Sequence, residues 1–416
     1  MPCIPDTPVR KRCFVQMIGY EPITAAYQHY RFVREMARFR KVWNVQSTVT
    51  PPQFSADRTV ANWKVESWGP NWRVATDYYC FDWGDLVIAD ARQSEWKRFP
   101  LGLASIVEFI LTGTAFRYFS VSPRYPAFFL YPLVVLGGMI WLSVVLTRFV
   151  MHRTGWSGHM LLVLLAALGL FALLWLVFGR MLALDYAFDD WHFARKFVHR
   201  RQPQLEQRLD RFARELVRLA RDTDADEIVL HGQSFGAPLL LLVIDRALRL
   251  DPQLGRGGKQ LHLVSVGSSL LKVALHPRAA WLREAAGRVA NDPAVYWVDF
   301  QSLIDVLNAY KVDPIAALGL PHTGKPIIKI IHIHNMLEEA TYRRVRLNFL
   351  RIHRQSVMGN ERRYFYDYQM LCCGPLPLAD RVADSDRAVS VFAADGTFLD
   401  HAGEAASAAG AAEFRP

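Results

Sequence analysis

Two long apolar runs lie back to back in the middle of this chain, and any fold must be built around them. Residues 127–151 carry no charge except Arg148, and residues 160–184 none except Arg180. A helix of that length rises roughly 37 Å, enough to cross a hydrocarbon core. Eight residues, 152–159, join the runs and allow little more than a tight turn, so the pair reads as a transmembrane hairpin. Two uncharged runs of this length in succession are unusual for core helices of a soluble domain. Basic residues crowd the outer flanks, with Arg117 and Arg124 before the hairpin and Arg195, Lys196, Arg200 and Arg201 after it, whereas the turn offers Arg153 and two histidines. That asymmetry predicts an inner or plasma membrane protein whose segments before and after the hairpin face the cytoplasm.

The rest of the composition narrows the partners. A length of 416 residues suggests two or three domains, but the hairpin and two weakly patterned ends, 1–11 and 387–416, take part of it, so one large domain suffices. Both ends are expected to be mobile. The net charge of +10 comes from 49 basic and 39 acidic residues. No zinc-ligand spacing, recognition helix or aromatic RNA-binding pattern accompanies it, so an anionic membrane surface is the expected partner and nucleic acid is not. The five cysteines, Cys3, Cys13, Cys80, Cys372 and Cys373, are odd in number and include an adjacent pair, which suggests neither a disulfide framework nor a metal site. The first residues lack the apolar core and cleavage site of a secretory signal.

Around the hairpin, strand and helix patterns alternate. Residues 12–18, 72–81, 227–231, 260–266, 294–300 and 326–334 read as apolar strands, and 23–43 as a helix. From 203 to 222, Leu205, Leu209, Phe212, Leu216 and Leu219 recur in steps of four and three, the stripe of an amphipathic helix covering a sheet. This predicts an α/β fold with a mainly parallel sheet covered on both faces, one part in 12–98 and a second in 185–386. Residues 99–126 are too polar to span and read as an interfacial segment or an ordinary surface helix.

Between the strand ending at His231 and the apolar helix beginning at Ala237 stand Gly232-Gln233-Ser234-Phe235-Gly236. A serine on a sharp strand-to-helix turn projects its hydroxyl above the sheet edge, and glycines two positions either side avoid clashes with adjacent backbone. Ser234 is therefore the candidate nucleophile. With this elbow, the order of elements resembles the α/β-hydrolase family over roughly 12–81 and 184–377, with the first strands of that fold missing. The resemblance implies an oxyanion hole from the backbone N–H of Phe235 and from the turn Ile18-Gly19-Tyr20-Glu21-Pro22, where Gly19 and Tyr20 are the candidate donors and Ile18-Gly19 replaces the family's frequent His-Gly. It also implies an acid and then a histidine after the serine. Asp305, just past the strand 294–300, is preferred to Asp299, which lies inside it. Among His322, His332, His334 and His353, the last comes late enough to return to the catalytic edge. His332 and His334 read as a same-face pair within the last strand, without a third ligand that would make a metal site.

The resemblance implies acyl transfer to water by Ser234, His353 and Asp305, with no cofactor and no metal. The hairpin implies a lipid or hydrophobic acyl substrate, admitted at a mouth framed by Trp83, Trp96, Phe99, Phe116, Tyr118, Trp191 and Phe193, with Lys97, Arg98 and Lys196 near phosphate depth. The sequence does not separate esterase, lipase, thioesterase or amidase, and the alternative to a hydrolase is a catalytically inactive scaffold or binding protein of the same fold.

Overall fold

The computed structural model describes residues 8–399 apart from 123, 125, 157, 180, 322 and 323. Cys3, Arg180, His322, the side chain of Trp96 and the terminal stretches 1–7 and 400–416 thus lie outside the described residues. The chain divides into two compact units, one of residues 1–88, 203–274 and 280–416 and one of 89–202 with 275–279.

The first unit is a mixed α/β structure. Its sheet contains β1 (Lys11–Met17), β2 (Gln46–Val49), β3 (Gln53–Phe54), β4 (Val60–Trp68), β5 (Arg73–Phe81), β6 (Glu227–Gln233), β7 (Leu261–Val266), β8 (Val295–Ser302) and β9 (Ile327–Ile331). The order is β2-β4-β5-β1-β6-β7-β8-β9, with β3 beside β4. The pairs from β5 through β9 are parallel, and β2, β3 and β5 pair antiparallel to β4. Strand β6 is buried at all seven positions because it has neighbours on both edges and helices on both faces.

One face is covered by Pro203–Asp222, whose five predicted apolar positions are all buried, and by Gly236–Leu250. Phe81 stacks on Phe212 with centroids 4.6 Å apart. The helix Ala25–Trp43, capped by the Thr24 side chain, buries Phe32, Met36, Phe39 and Trp43. Across β1 and β6, Arg12 pairs in register with Glu227 and their side chains form an ion pair at 2.8 Å, both almost fully buried.

Several expectations are corrected here. Within the described parts of the two ends, the Val9 N–H donates to Pro375 O at 2.8 Å, and the Phe392 ring meets Trp43 at 5.2 Å. The last strand stops at Ile331, so His332 and His334 leave the sheet; they flank the start of the helix Ile333–Met336, both exposed.

The second unit is helical: Glu95–Leu111, Thr114–Val121, Pro126–Arg153, Met160–Phe178 and Leu184–Val198. Two of these, Pro126–Arg153 and Met160–Phe178, are long and apolar enough to cross a membrane. The second span ends at Phe178 rather than Leu184. Leu161, Leu164, Leu165, Leu168, Leu173 and Leu176 along it are each more than half exposed, a surface suited to lipid and not to water. The segment expected to be interfacial or a surface helix forms a pair of helices, Lys97–Leu111 and Thr114–Val121, bent by 69° and together apolar enough for a broken span or re-entrant loop, with Ile106, Phe109 and Tyr118 fully buried. Trp191, expected at the membrane surface, is 2% exposed because Phe109, Phe128 and Phe129 pack around it at 5.0–5.9 Å. Phe193 is likewise buried, Trp83 is buried in the first unit, and among the described rings of that set Phe116 stands well exposed. Lys196 is paired with Asp90 and Arg98 with Asp189.

Candidate active site

Ser234 follows the last residue of β6 with φ 54, the left-handed region that L-residues enter at a cost. The turn is held by its neighbours. The Ser234 N–H donates to Val266 O at 3.0 Å, and its carbonyl accepts from Ser269 N at 3.1 Å and Ala237 N at 3.2 Å. A Cβ on Gly232 would lie 2.6 Å from Ala237 Cα, and one on Gly236 2.1 Å from Met17 O, so backbone crowding fixes both elbow glycines.

The turn after β1 lies directly against the serine. A Cβ on Gly19 would sit 2.7 Å from Ser234 Cβ and 3.2 Å from its Oγ. The turn is braced by Trp83, whose indole N–H donates to Ile18 O at 2.9 Å. Tyr20 is buried, with its ring 6.5 Å from that of Phe235, the residue preceding Gly236–Leu250. Glu21 ties this turn to the histidine segment, pairing with Arg31 at 2.8 Å and Arg354 at 2.6 Å.

Asp305 and His353, 48 residues apart in sequence, meet in space: His353 Nδ1 lies 2.7 Å from Asp305 Oδ2, and both side chains are about 5% exposed. Asp305 is fixed by the Leu307 N–H, which donates to its other oxygen at 3.1 Å. His353 sits in Phe349–Arg354, a helix capped by Asn348. With Nδ1–H given to the carboxylate, Nε2 keeps its lone pair, and that buried atom has no hydrogen-bond partner among the described residues. A ring held this way can accept a proton at Nε2 and have the resulting imidazolium stabilised by the carboxylate.

The serine turn and the Asp305–His353 pair both border Gly267, just past β7, but among the described residues no hydrogen bond joins the Ser234 hydroxyl to His353 Nε2. Val266 O receives the Ser234 N–H, while a Cβ on Gly267 (φ +54) would lie 2.8 Å from His353 Cε1 and 2.9 Å from Asp305 Oδ2. Gln233 closes the arrangement from the other side, its amide donating to His353 O at 3.2 Å and to Ser356 Oγ at 3.3 Å. The Ser234 hydroxyl itself contacts Ser269 Oγ at 3.4 Å.

The competing residues are occupied elsewhere. Asp299 Oδ1 accepts from Ser265 Oγ at 2.5 Å and Oδ2 from Gln301 Nε2 at 2.8 Å; burial pushes its carboxyl up to about 6. Among the described residues no cluster of three or more His, Cys, Asp or Glu is arranged to hold a metal ion. Sequence reasoning missed Gly267 and Ser269, although Gly267-Ser268-Ser269 directly follows a strand beside the nucleophile strand. The supporting contacts of Gln233, Glu21 and Arg354 carry no local signal. In comparisons with known proteins, no protein family, curated protein or solved structure matches the chain.

Proposed function

We propose that the chain is a membrane-anchored serine hydrolase of α/β-hydrolase type, cleaving a lipid or other hydrophobic acyl ester. Ser234 Oγ attacks the acyl carbonyl and passes its proton to His353 Nε2; Asp305 holds the ring and stabilises the imidazolium. The oxyanion is met by backbone N–H groups of Phe235 and of the turn at Gly19 and Tyr20. The proton then goes to the leaving alcohol, and water releases the acyl group from Ser234 by the same route. The observation that carries this reading is the Asp305–His353 pair at 2.7 Å with an unpartnered Nε2, beside a serine on a left-handed turn. The α/β-hydrolase reading is supported by the placement of the serine after β6, the acid after β8 and the histidine after β9. A hydrophobic substrate follows from the two spans in the same chain, and the basic flanks favour a cytoplasmic catalytic unit.

A second reading, a silent hydrolase-like scaffold, is favoured by one contact: the Ser234 hydroxyl faces Ser269 at 3.4 Å, and Ser234 is 3% exposed. Turnover of p-nitrophenyl esters from acetyl to palmitoyl by the full chain in detergent separates the two. Activity that rises with acyl length and vanishes in Ser234→Ala supports the hydrolase. A Ser234→Ala variant as active as the parent sinks the nucleophile, and a folded protein inert to every ester and to a fluorophosphonate favours the scaffold.

A further inference from the structure

The second unit contains a cavity of about 190 Å³ at the foot of the second span, apart from any residue of the proposed chemistry. One wall is aromatic: Phe99 lies edge-on to both Trp175 and Phe188, with centroids 5.1 Å away in each case. The other wall is charged. Arg98 binds Asp189 through Nε to Oδ1 at 2.9 Å and through a second, terminal nitrogen to Oδ2, so these two neutralise one another. Asp185 also lines the cavity, half-buried, with no hydrogen-bond or ion-pair partner among the described residues. Among the described residues the lining therefore carries one net negative charge beside aromatic rings, a combination that attracts an organic ammonium by charge and cation–π contact and repels phosphate. Its depth adds the source. Trp175 and Leu176 belong to the last turn of Met160–Phe178, and Asp185 to the first turn of the following helix, so the cavity opens where a span of roughly 28 Å leaves the hydrocarbon for the headgroup layer.

We propose that this cavity binds the ammonium headgroup of a zwitterionic phospholipid, ethanolamine or choline, with Asp185 as the charge partner and Phe99, Trp175 and Phe188 as the aromatic wall. The phosphate of the same lipid stays outside, toward solvent. The chemistry depends on none of the proposed catalytic residues and stands or falls separately from them.

The test is native mass spectrometry of the full chain in detergent, titrated with phosphatidylethanolamine, phosphatidylcholine and phosphatidylglycerol of identical acyl chains. The expected result is one zwitterionic lipid retained at least tenfold more tightly than phosphatidylglycerol. Asp185→Asn, and separately Phe99→Ala, should reduce that preference to less than about threefold while size-exclusion profile and melting temperature hold. Equal retention of all three lipids, or an unchanged preference in a folded Asp185→Asn protein, overturns the proposal. Choline or ethanolamine chloride is the further arm. Displacement of the lipid by micromolar free amine would make the small cation the ligand and overturn the lipid assignment, whereas displacement at tens of millimolar or above agrees with it.

Discussion

Gly267→Ala is a sharp perturbation of the proposed site, because it changes neither the nucleophile nor the base. The residue has φ +54, where an alanine costs about 1–2 kcal/mol. The larger effect is local. The new methyl would sit 2.8 Å from His353 Cε1, 2.9 Å from Asp305 Oδ2 and 3.1 Å from His353 Nδ1, against carbon contacts that begin near ~3.5 Å. The imidazole must then move by about 0.7 Å, away from Gly267 and out of line with the carboxylate. A misplacement near 1 Å costs on the order of 100-fold in rate, so fluorophosphonate labelling of Ser234 should slow by roughly 30- to 100-fold. Gly319→Ala is the matched control, since Gly319 has φ +67 with no atom within 4 Å of the added methyl. It should lose comparable stability and keep its labelling rate. A Gly267→Ala protein that labels within about threefold of the parent, at a melting temperature like that of Gly319→Ala, would refute the placement of His353 as the base.

The other predictions concern the acid, the buried charges and pH. Asp305→Asn presents an amide N–H to His353 Nδ1 or forces the other tautomer, so labelling should fall by about 10³–10⁴ without loss of fold, read by labelling kinetics beside circular dichroism. Arg12→Leu removes the guanidinium from a buried Glu227, leaving it the His262 ring at 2.9 Å and the Leu378 N–H at 2.8 Å, and leaves Gly374 O without its 2.7 Å donor; chemical denaturation should show a loss of about 3–5 kcal/mol, and a loss under about 1 would contradict the pairing. Asp299 has its carboxyl pushed up to about 6 by burial, so the folded state keeps a proton that the unfolded chain releases near pH 4. Its stabilising contribution is full below about pH 4 and is lost as pH rises toward 6, by up to about 3 kcal/mol. Thermal unfolding of Asp299→Asn between pH 4 and 7 should lack that decline, and an identical pH profile would refute the assignment.

Elements with a one-dimensional signature were readable. Pro203–Asp222 declares itself because one apolar stripe on a polar helix has a single way to be buried, and the elbow because only glycine fits beside Ala237 and Met17. Strand β4 was equally legible in principle, since Trp63 and Val65 alternate with Asn62, Lys64 and Glu66, yet its antiparallel pairing lay outside a reading built on parallel units. The pairing of Asp305 with His353 had no such signature. It depends on where two loops after β8 and β9 return, and sequence order supplied the candidates but not the contact. The burial of Trp191 and Tyr118 misled for a related reason: an aromatic near a span looks the same in sequence whether it faces headgroups or packs against the neighbouring helix.

The central claim is that Ser234 is a reactive hydroxyl served by His353. The most direct measurement is peptide mapping of the folded full-length protein after exposure to a fluorophosphonate. One adduct per chain is expected, carried by Ser234 and abolished in His353→Ala. An adduct on the adjacent Ser269, or none at all on folded protein, would contradict it.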